Sequence, residues 1–171
     1  AAITGRVPAV GLHLTENRAG HILYTLKNIP ARLQENDAFY SVLGYYLGKN
    51  VPNKIPVIDG FDVKPTEDQL KALCAGGAYA GAIAMFHLIG ITPEAQTIRD
   101  AFQGKKPDGS KEITMTELKN AKNELTTTKN KKPDIIALGS PHFSIEEFKR
   151  LNPLIEKQKC HPDTIFVVTC S

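Results

Sequence analysis

The sequence predicts an α/β fold in which helices are layered on a mostly parallel sheet, with a βαβ unit in the last third. Two observations carry this prediction. Residues 134–138 and 164–170 are apolar runs without polar alternation, as is typical of buried parallel strands. Between them, Ser144 and Glu147 form a capping pattern that begins a helix extending to about Ile155.

Hydrophobic periodicity predicts the elements of the first half. We expect a strand at residues 21–26, a helix over residues 37–48 that ends at Gly48, and a short strand at residues 55–58. Thr66 followed by Gln69 is a capping-box pattern. It begins a helix whose apolar face contains Leu70, Leu73 and Cys74.

The glycine-rich residues 75–81 are expected to interrupt this helix, with a second helical segment over residues 82–88. They lack the GxGxxG spacing and the lysine of a phosphate loop, which favours close backbone packing over nucleotide binding. Residues 92–94 (TPE) predict the start of another helix that ends near Gly104. A polar loop at residues 105–111 and a capped helix over residues 114–125 follow.

Length and composition limit the possible classes. The 171 residues are expected to form one domain, 1–171, and the absence of an initial Met together with an apolar C-terminal end suggests an internal excerpt. Apolar residues make up 42% and the net charge is +3, as in ordinary globular proteins. Glycines and His87 interrupt the longest apolar run, so no membrane span is expected. The basic stretch at residues 129–132 lacks aromatics, which favours a loop over a nucleic-acid interface.

The cysteines indicate a reducing compartment, and the cytoplasm is the expected location. Cys74, Cys160 and Cys170 cannot all be paired, and none forms a CxxC motif. The segment therefore carries no self-sufficient zinc or iron–sulfur motif. Cys74 is expected in the core and Cys160 in a polar loop, which leaves Cys170 at a strand end as the candidate ligand.

Three groups of polar residues could carry chemistry. Residues 139–144 leave a predicted strand for a helix N-terminus, where Ser140 and His142 could bind an anion or only satisfy loop backbone. His87 near residues 92–94 is more consistent with a structural histidine. A polar N-terminal segment is either a site with carboxylate-binding and proton-transferring groups or a self-paired surface loop. It contains Arg6, His13, Glu16, Asn17 and Arg18.

Several blocks of this sequence resemble the aconitase X family. Residues 2–8 (AITGRVP) and 11–18 (GLHLTENR) resemble its TGRxP…GxHLxENR signature. Three further blocks agree in order: residues 55–60 (IPVIDG), 86–95 (FHLIGITPEA) and 138–147 (LGSPHFSIEE). The similarity covers essentially the whole chain, and motifs of this length in the same order are specific.

The resemblance implies an aconitase-like layered fold and a hydro-lyase with an iron–sulfur cluster. Two activities are associated with the family that the sequence resembles. Bacterial-type members dehydrate cis-3-hydroxy-L-proline, and archaeal-type members dehydrate mevalonate 5-phosphate. Residues 28–34 (NIPARLQ) are closer to the bacterial type, which favours the first activity. It also implies the remainder of a longer chain and a swivelling domain or subunit as partners. The segment alone is expected to be inactive.

For such an elimination, Arg6 and Arg18 are expected to bind the carboxylate of a small hydroxy acid. A base removes the proton beside that carboxylate and an acid assists the leaving hydroxide. The expected proton-handling or orienting residues are His13, Glu16 and His142, and Asn17 and Ser140 would supply hydrogen bonds.

The alternative is a non-catalytic domain of the same fold that binds a small acid or a partner chain. Some relatives carry a cysteine where Ser140 stands, a departure that favours this alternative. The resemblance then places the usual cluster cysteines outside this segment, and the metal ligands stay unassigned.

Overall fold

A four-stranded parallel sheet forms the centre of the protein, described here from a computed structural model that covers residues 1–128 and 132–170. Most of the basic stretch at residues 129–132 therefore lies outside the described residues. The strand order is β3-β2-β1-β4, and every neighbouring pair is parallel. The strands are β1 (Ile22–Leu26), β2 (Pro56–Asp59), β3 (His87–Leu88) and β4 (Gly109–Ile113).

A second sheet pairs β5 (Ile135–Phe143) in parallel with β6 (Ile165–Cys170), and a helix connects the two strands. The predicted βαβ unit and the α/β class are confirmed. The helices of the chain are α1 (Ala31–Gln34), α2 (Asp37–Asn50), α3 (Glu67–Gly81), α4 (Ile98–Ala101), α5 (Met115–Leu125) and α6 (Ile145–Ile155).

The two faces of the four-stranded sheet have different cores. One face packs α2, α3 and α5 around a large cluster that includes the fully buried Tyr24, Leu43 and Ile58. The other face carries a small cluster formed by Val57, Ala95, Ala101 and Phe102. The long connection from β3 to β4 supplies the last three of these residues, so it covers the second face of the sheet.

Three predicted capping boxes are confirmed. Thr66, Thr114 and Ser144 each begin a helix, and each exchanges hydrogen bonds with the residue three positions later. Such reciprocal bonds satisfy two of the backbone N–H groups that a helix leaves unpaired at its start. Because the pattern is local, it could be predicted without knowledge of tertiary contacts.

The glycine-rich stretch does not interrupt α3, contrary to the prediction. The helix continues to Gly81 because its glycines lie against α2, where the backbones are in direct contact. A Cβ at Gly48 would lie 2.8 Å from the carbonyl oxygen of Gly77, and one at Gly76 would lie 2.6 Å from that of Ser41. Gly48 is therefore a packing residue inside α2 and not the predicted end of that helix.

The region between α3 and α5 also differs from the sequence prediction. Residues 82–88 lead into the two-residue strand β3 instead of forming a helix, and residues 92–95 form a turn. The next helix is only α4, which begins after the capping residue Thr97. The expected polar loop at residues 105–111 contains the start of β4. The first residues of this strand are exposed and polar, so no apolar pattern predicted a strand there.

The predicted buried strands of the second sheet are largely exposed. Ile135 and Ile165 are register partners on one face and retain 60% and 59% of their accessible surface. Within the described residues, α6 packs against this sheet. The ring of its Phe148 contacts that of Phe143 edge-to-face, with 5.4 Å between the ring centroids. Residues 139–143, predicted as a loop, continue β5. Cys74, predicted in the core, is also exposed.

Among the described residues, no helix has both the length and the apolar character that crossing a bilayer requires.

We expect Gly44→Ala to lower the free energy of unfolding by about 2 kcal/mol. The new methyl group would overlap the Leu73 carbonyl oxygen and lie 2.9 Å from the Gly77 amide nitrogen. Overpacking costs about 1–3 kcal/mol or more, which exceeds the roughly 1 kcal/mol gained in helix propensity. Urea unfolding measures the change. Gly109→Ala is the control, because nothing lies within 4 Å of its added Cβ. Equal effects of the two substitutions would contradict the packing argument.

Two buried tyrosines offer a second, matched comparison. Tyr40 donates its hydroxyl to the Gln34 carbonyl at 2.7 Å, whereas the Tyr24 hydroxyl has no partner among the described residues. Removing a satisfied hydrogen bond costs about 1 kcal/mol, while removing an unsatisfied buried hydroxyl is nearly neutral. We therefore expect Tyr40→Phe to destabilise the protein more than Tyr24→Phe at neutral pH. The reverse order in urea unfolding would show that the Tyr24 hydroxyl has a partner.

Alkaline pH should destabilise the fold through the same two residues. Burial raises the pKa of both Tyr24 and Tyr40 from 10.0 to about 12. A raised pKa in the folded state means that the folded protein holds these protons longer than the unfolded chain does. Stability is thus fully present below about pH 10 and declines as the pH rises towards 12. In unfolding measured across this range, Tyr24→Phe should show a shallower decline, and an unchanged slope would contradict the assignment.

Candidate functional site

Two groups of polar residues lie close to the first turns of α3. Leu70 of α3 lines a hollow together with residues 85–87 and 92–94, next to the N-terminal segment. Its neighbour Lys71 donates to the main-chain oxygen of His142 at 2.9 Å. The hollow beside the N-terminal candidates and the group around His142 therefore adjoin neighbouring residues, Leu70 and Lys71, at the start of α3.

Arg18 connects the N-terminal segment to the sheet. Its Nε donates to the Leu12 carbonyl at 2.6 Å, and its Nη1 forms a 2.5 Å ion pair with Glu94. The Arg18 carbonyl accepts a hydrogen bond from His87 Nε2 at 2.7 Å. A partly buried arginine held this way has one terminal nitrogen, Nη2, left for another acceptor.

The other candidates of this segment are exposed. Arg6, His13 and Glu16 are solvent-accessible, and their side chains form no hydrogen bond or ion pair within the described residues. Asn17 is also exposed and donates to the Gly11 carbonyl at 2.9 Å. The hypothesis of a self-paired loop is therefore wrong for Arg6, His13 and Glu16, whose charged or polar ends are accessible to a ligand.

His87 and Glu94 were grouped in the sequence analysis only because they lie close together in the sequence. In the structure, both contact Arg18. His87 is 1% exposed, and its Nδ1 has no hydrogen-bond partner within the described residues. A carbonyl can only accept, so the bond to Arg18 places the imidazole hydrogen on Nε2. Thr92 stabilises the following turn through hydrogen bonds to the main chain of Leu88. The structural interpretation of His87 is consistent with this anchoring role.

The Ser140 and His142 group adjoins the beginnings of α3 and α6. Both side chains are exposed and form no hydrogen bond within the described residues. Ser144 donates to Asp68 at 2.7 Å, and Lys71 bridges Asp68 and Glu147 at 3.0 and 2.7 Å. The Ser144 hydroxyl, followed by Lys71 and Arg150, lowers the pKa of Asp68.

The same contacts define a larger hollow. It measures about 600 Å³ and lies between the first turns of α3 and α6. The hollow beside Glu94 is smaller, about 270 Å³. No hydrogen bond or ion pair in the described part of the chain links residues 4–18 to Ser140 or His142. The larger hollow is lined by Thr66, Glu67, Asp68, Ser144, Ile145, Glu146 and Arg150.

The described residues do not form a metal or cluster site by themselves. They contain no group of three or more histidine, cysteine or acidic residues arranged to hold a metal ion. Cys74, Cys160 and Cys170 are free and exposed, and Cys160 donates its thiol to the Thr164 carbonyl at 3.2 Å. Residues 1–128 and 132–170 therefore do not fit an iron–sulfur cluster without additional ligands.

Sequence reasoning missed Lys71, Asp68 and the contact between Arg18 and Glu94. The capping pattern at Thr66 placed Asp68 in a first helical turn, but nothing local indicated Ser144 as its partner, which is 76 positions away. Arg18 and Glu94 are also 76 positions apart. Their occurrence in two separate signature blocks was the one signal that could have suggested a contact.

Comparison with known proteins identifies a family and several relatives of this chain. A family model described as the aconitase X second domain matches residues 20–123. A cis-3-hydroxy-L-proline dehydratase from Pseudomonas aeruginosa is 37% identical over 171 residues, which is 99% of this chain and 29% of that protein. The phosphomevalonate dehydratase large subunit of Methanocaldococcus jannaschii is 36% identical, over 95% of this chain and 40% of that subunit.

A solved structure agrees with these matches. The crystal structure of Thermococcus kodakaraensis aconitase X in its holo-form has a TM-score of 0.79 and 31% identity, over 100% of this chain and 42% of that chain. The chain thus spans 29% of the Pseudomonas protein and less than half of the Methanocaldococcus and Thermococcus proteins. Since the family model covers more than half of the 171 residues, the chain belongs to the aconitase X family.

Proposed function

We propose that this chain is part of a hydro-lyase that eliminates water from a small hydroxy acid, with cis-3-hydroxy-L-proline as the first candidate substrate. The observation that carries the proposal is the intact signature at residues 4–18, in which Arg6, His13 and Glu16 are exposed and unpaired among the described residues. The relatives named for this substrate, from Pseudomonas aeruginosa and Hypocrea jecorina, are each 37% identical to the chain.

The roles follow from the chemistry of each side chain. Arg6 is free to bind a carboxylate with its planar, two-pronged guanidinium, and the unused Nη2 of Arg18 is a second donor. His13 and Glu16 are the candidates for removing the proton beside that carboxylate and for protonating the leaving hydroxide. Asn17 keeps its amide oxygen as an acceptor, because only its Nδ2 is engaged.

Ser140 and His142 are proposed as a second set of hydrogen-bonding and proton-handling groups. Their side chains are exposed beside the start of α3, on the side of Lys71. The iron–sulfur cluster of the family would require ligands outside the described residues. The roles above therefore concern this chain's own side chains. A longer polypeptide and a swivelling domain or subunit are the proposed partners, in line with the greater length of the relatives.

Mevalonate 5-phosphate is the second candidate substrate. The large subunits named for its dehydration reach 36% identity, almost the same as the first group. A non-catalytic domain that binds a small acid is the third candidate, favoured by the serine at position 140. Both alternatives are separated from the first by assaying the full-length protein with each substrate in parallel.

We expect His13→Ala and Glu16→Gln to lower kcat with cis-3-hydroxy-L-proline by about 100-fold or more, the usual contribution of a general acid or base. Arg6→Ala should raise KM about tenfold, because a charge-assisted hydrogen bond to the carboxylate is lost. Product formation in the full-length protein measures these changes.

His161→Ala and Glu156→Gln serve as controls, because both residues are exposed and lie far along the chain from the signature. They should leave turnover within about twofold of the parent, in line with the small effects of most surface substitutions. Unchanged turnover in the His13 and Glu16 variants would remove those two residues from the reaction. Turnover of neither substrate by the parent would leave acid binding as the function.

A further inference from the structure

We infer that His87 and Glu94 are positioning residues that hold residues 11–18 in place by binding Arg18 from two directions. The inference rests on the proposed function only in that the held segment carries His13 and Glu16. It assigns a task to two residues that the proposed reaction does not use.

The N-terminal segment lacks the usual means of staying fixed. It consists of two short 3-10 turns, Gly11–His13 and Thr15–Arg18, and neither turn contains a buried residue. Burial of apolar surface is the main force that holds most elements against a fold, and short turns have few internal hydrogen bonds. The position of this segment therefore depends on its polar contacts.

Most of these contacts involve Arg18. Its side chain ties the first turn, through the Leu12 carbonyl at 2.6 Å, to Glu94 at 2.5 Å. Its main chain is bound separately by His87 at 2.7 Å. A further contact joins Gln103 Nε2 to the Thr15 carbonyl at 2.5 Å. One residue thus connects both turns of the segment to the strand β3 and the turn after it.

His87 is a rigid support for this connection. It lies in β3, opposite Val57 of β2, and is almost fully buried. Its Nδ1 has no partner among the described residues, which costs free energy that an apolar side chain of similar size would not incur. A histidine here is explained by the need for a donor at Nε2 facing the Arg18 carbonyl.

Glu94 is held in a short, hydrogen-bonded turn. The Gly90 amide donates to the Ala95 carbonyl at 2.8 Å, and the Ala95 amide donates to the Thr92 carbonyl at 3.0 Å. The ion pair is partly shielded, with side-chain exposures of 30% for Arg18 and 37% for Glu94. Ion pairs with reduced solvent exposure are screened less by salt than fully exposed ones. The carboxylate is therefore a defined anchor for the guanidinium.

Hydrogen exchange in the full-length protein tests the inference without any assay of catalysis. Glu94→Gln should speed exchange of the Leu14 and Asn17 amides, which close the two turns, by about tenfold or more. Exchange in β1 and α2 should not change. Glu112→Gln is the matched control, because Glu112 also forms an ion pair, with Lys27, but lies elsewhere on the sheet.

Position 87 supplies a second, independent pair of variants. His87→Leu removes the donor and should loosen the same two amides, whereas His87→Gln retains a donor nitrogen at a similar reach and should restore their protection. If the leucine variant fails to fold, the Glu94→Gln comparison still decides. Equal exchange of Leu14 and Asn17 in the parent and in Glu94→Gln would overturn the inference.

Kinetics of the full-length protein then separate this inference from the proposed function. If the segment is positioned for catalysis, Glu94→Gln and His87→Leu should lower kcat by about tenfold or more, with recovery in His87→Gln. Faster exchange combined with unchanged turnover would confirm the anchor and show that turnover does not depend on it, which leaves the roles of His13 and Glu16 to their own variants. Unchanged exchange would reject the anchor whatever the turnover.

Discussion

The contact between the backbones of α2 and α3 is the constraint on which the rest of the structure depends. Glycines 44 and 48 of α2 meet glycines 76, 77 and 81 of α3, and a methyl group at most of these positions would collide with the opposite helix. Such close packing fixes the direction of α3 across the sheet. The first turns of α3 are thereby placed where Leu70 borders the hollow of Glu94 and Lys71 contacts the end of β5.

Polar contacts then place the candidate site on this rigid base. The two turns that carry His13 and Glu16 contain no buried residue, and Arg18 makes most of their polar contacts with the rest of the fold, with one more from Gln103 to Thr15. The second group is attached in the same way, because Ser144, Asp68 and Lys71 join the start of α6 to the start of α3. Both groups therefore depend on charged and hydrogen-bonded links between elements that the hydrophobic core has already positioned.

The two sheets differ in how much of their faces is covered by other elements. Parallel sheets are normally covered on both faces. The four-stranded sheet meets this condition, whereas Ile135, Ile165 and Val167 remain exposed on one face of the second sheet. That second sheet also lies outside residues 20–123, which match the family domain. The relatives are longer than this chain, and the exposed face of the second sheet is available to additional polypeptide.

The sequence by itself determined the features that depend on neighbours within a few residues. These are the three capping boxes, the strands β1 and β2, the βαβ unit and the signature blocks that identify the family. Tertiary structure decided the rest, because the decisive partners are distant in sequence. Glycines that favour a break were kept helical by the contact of α3 with α2, and the polar strand β4 was formed by pairing with β1. The ion pair between Arg18 and Glu94 could likewise not be predicted from neighbouring residues. An ion pair depends on distance in space, and these two residues are 76 positions apart in the sequence.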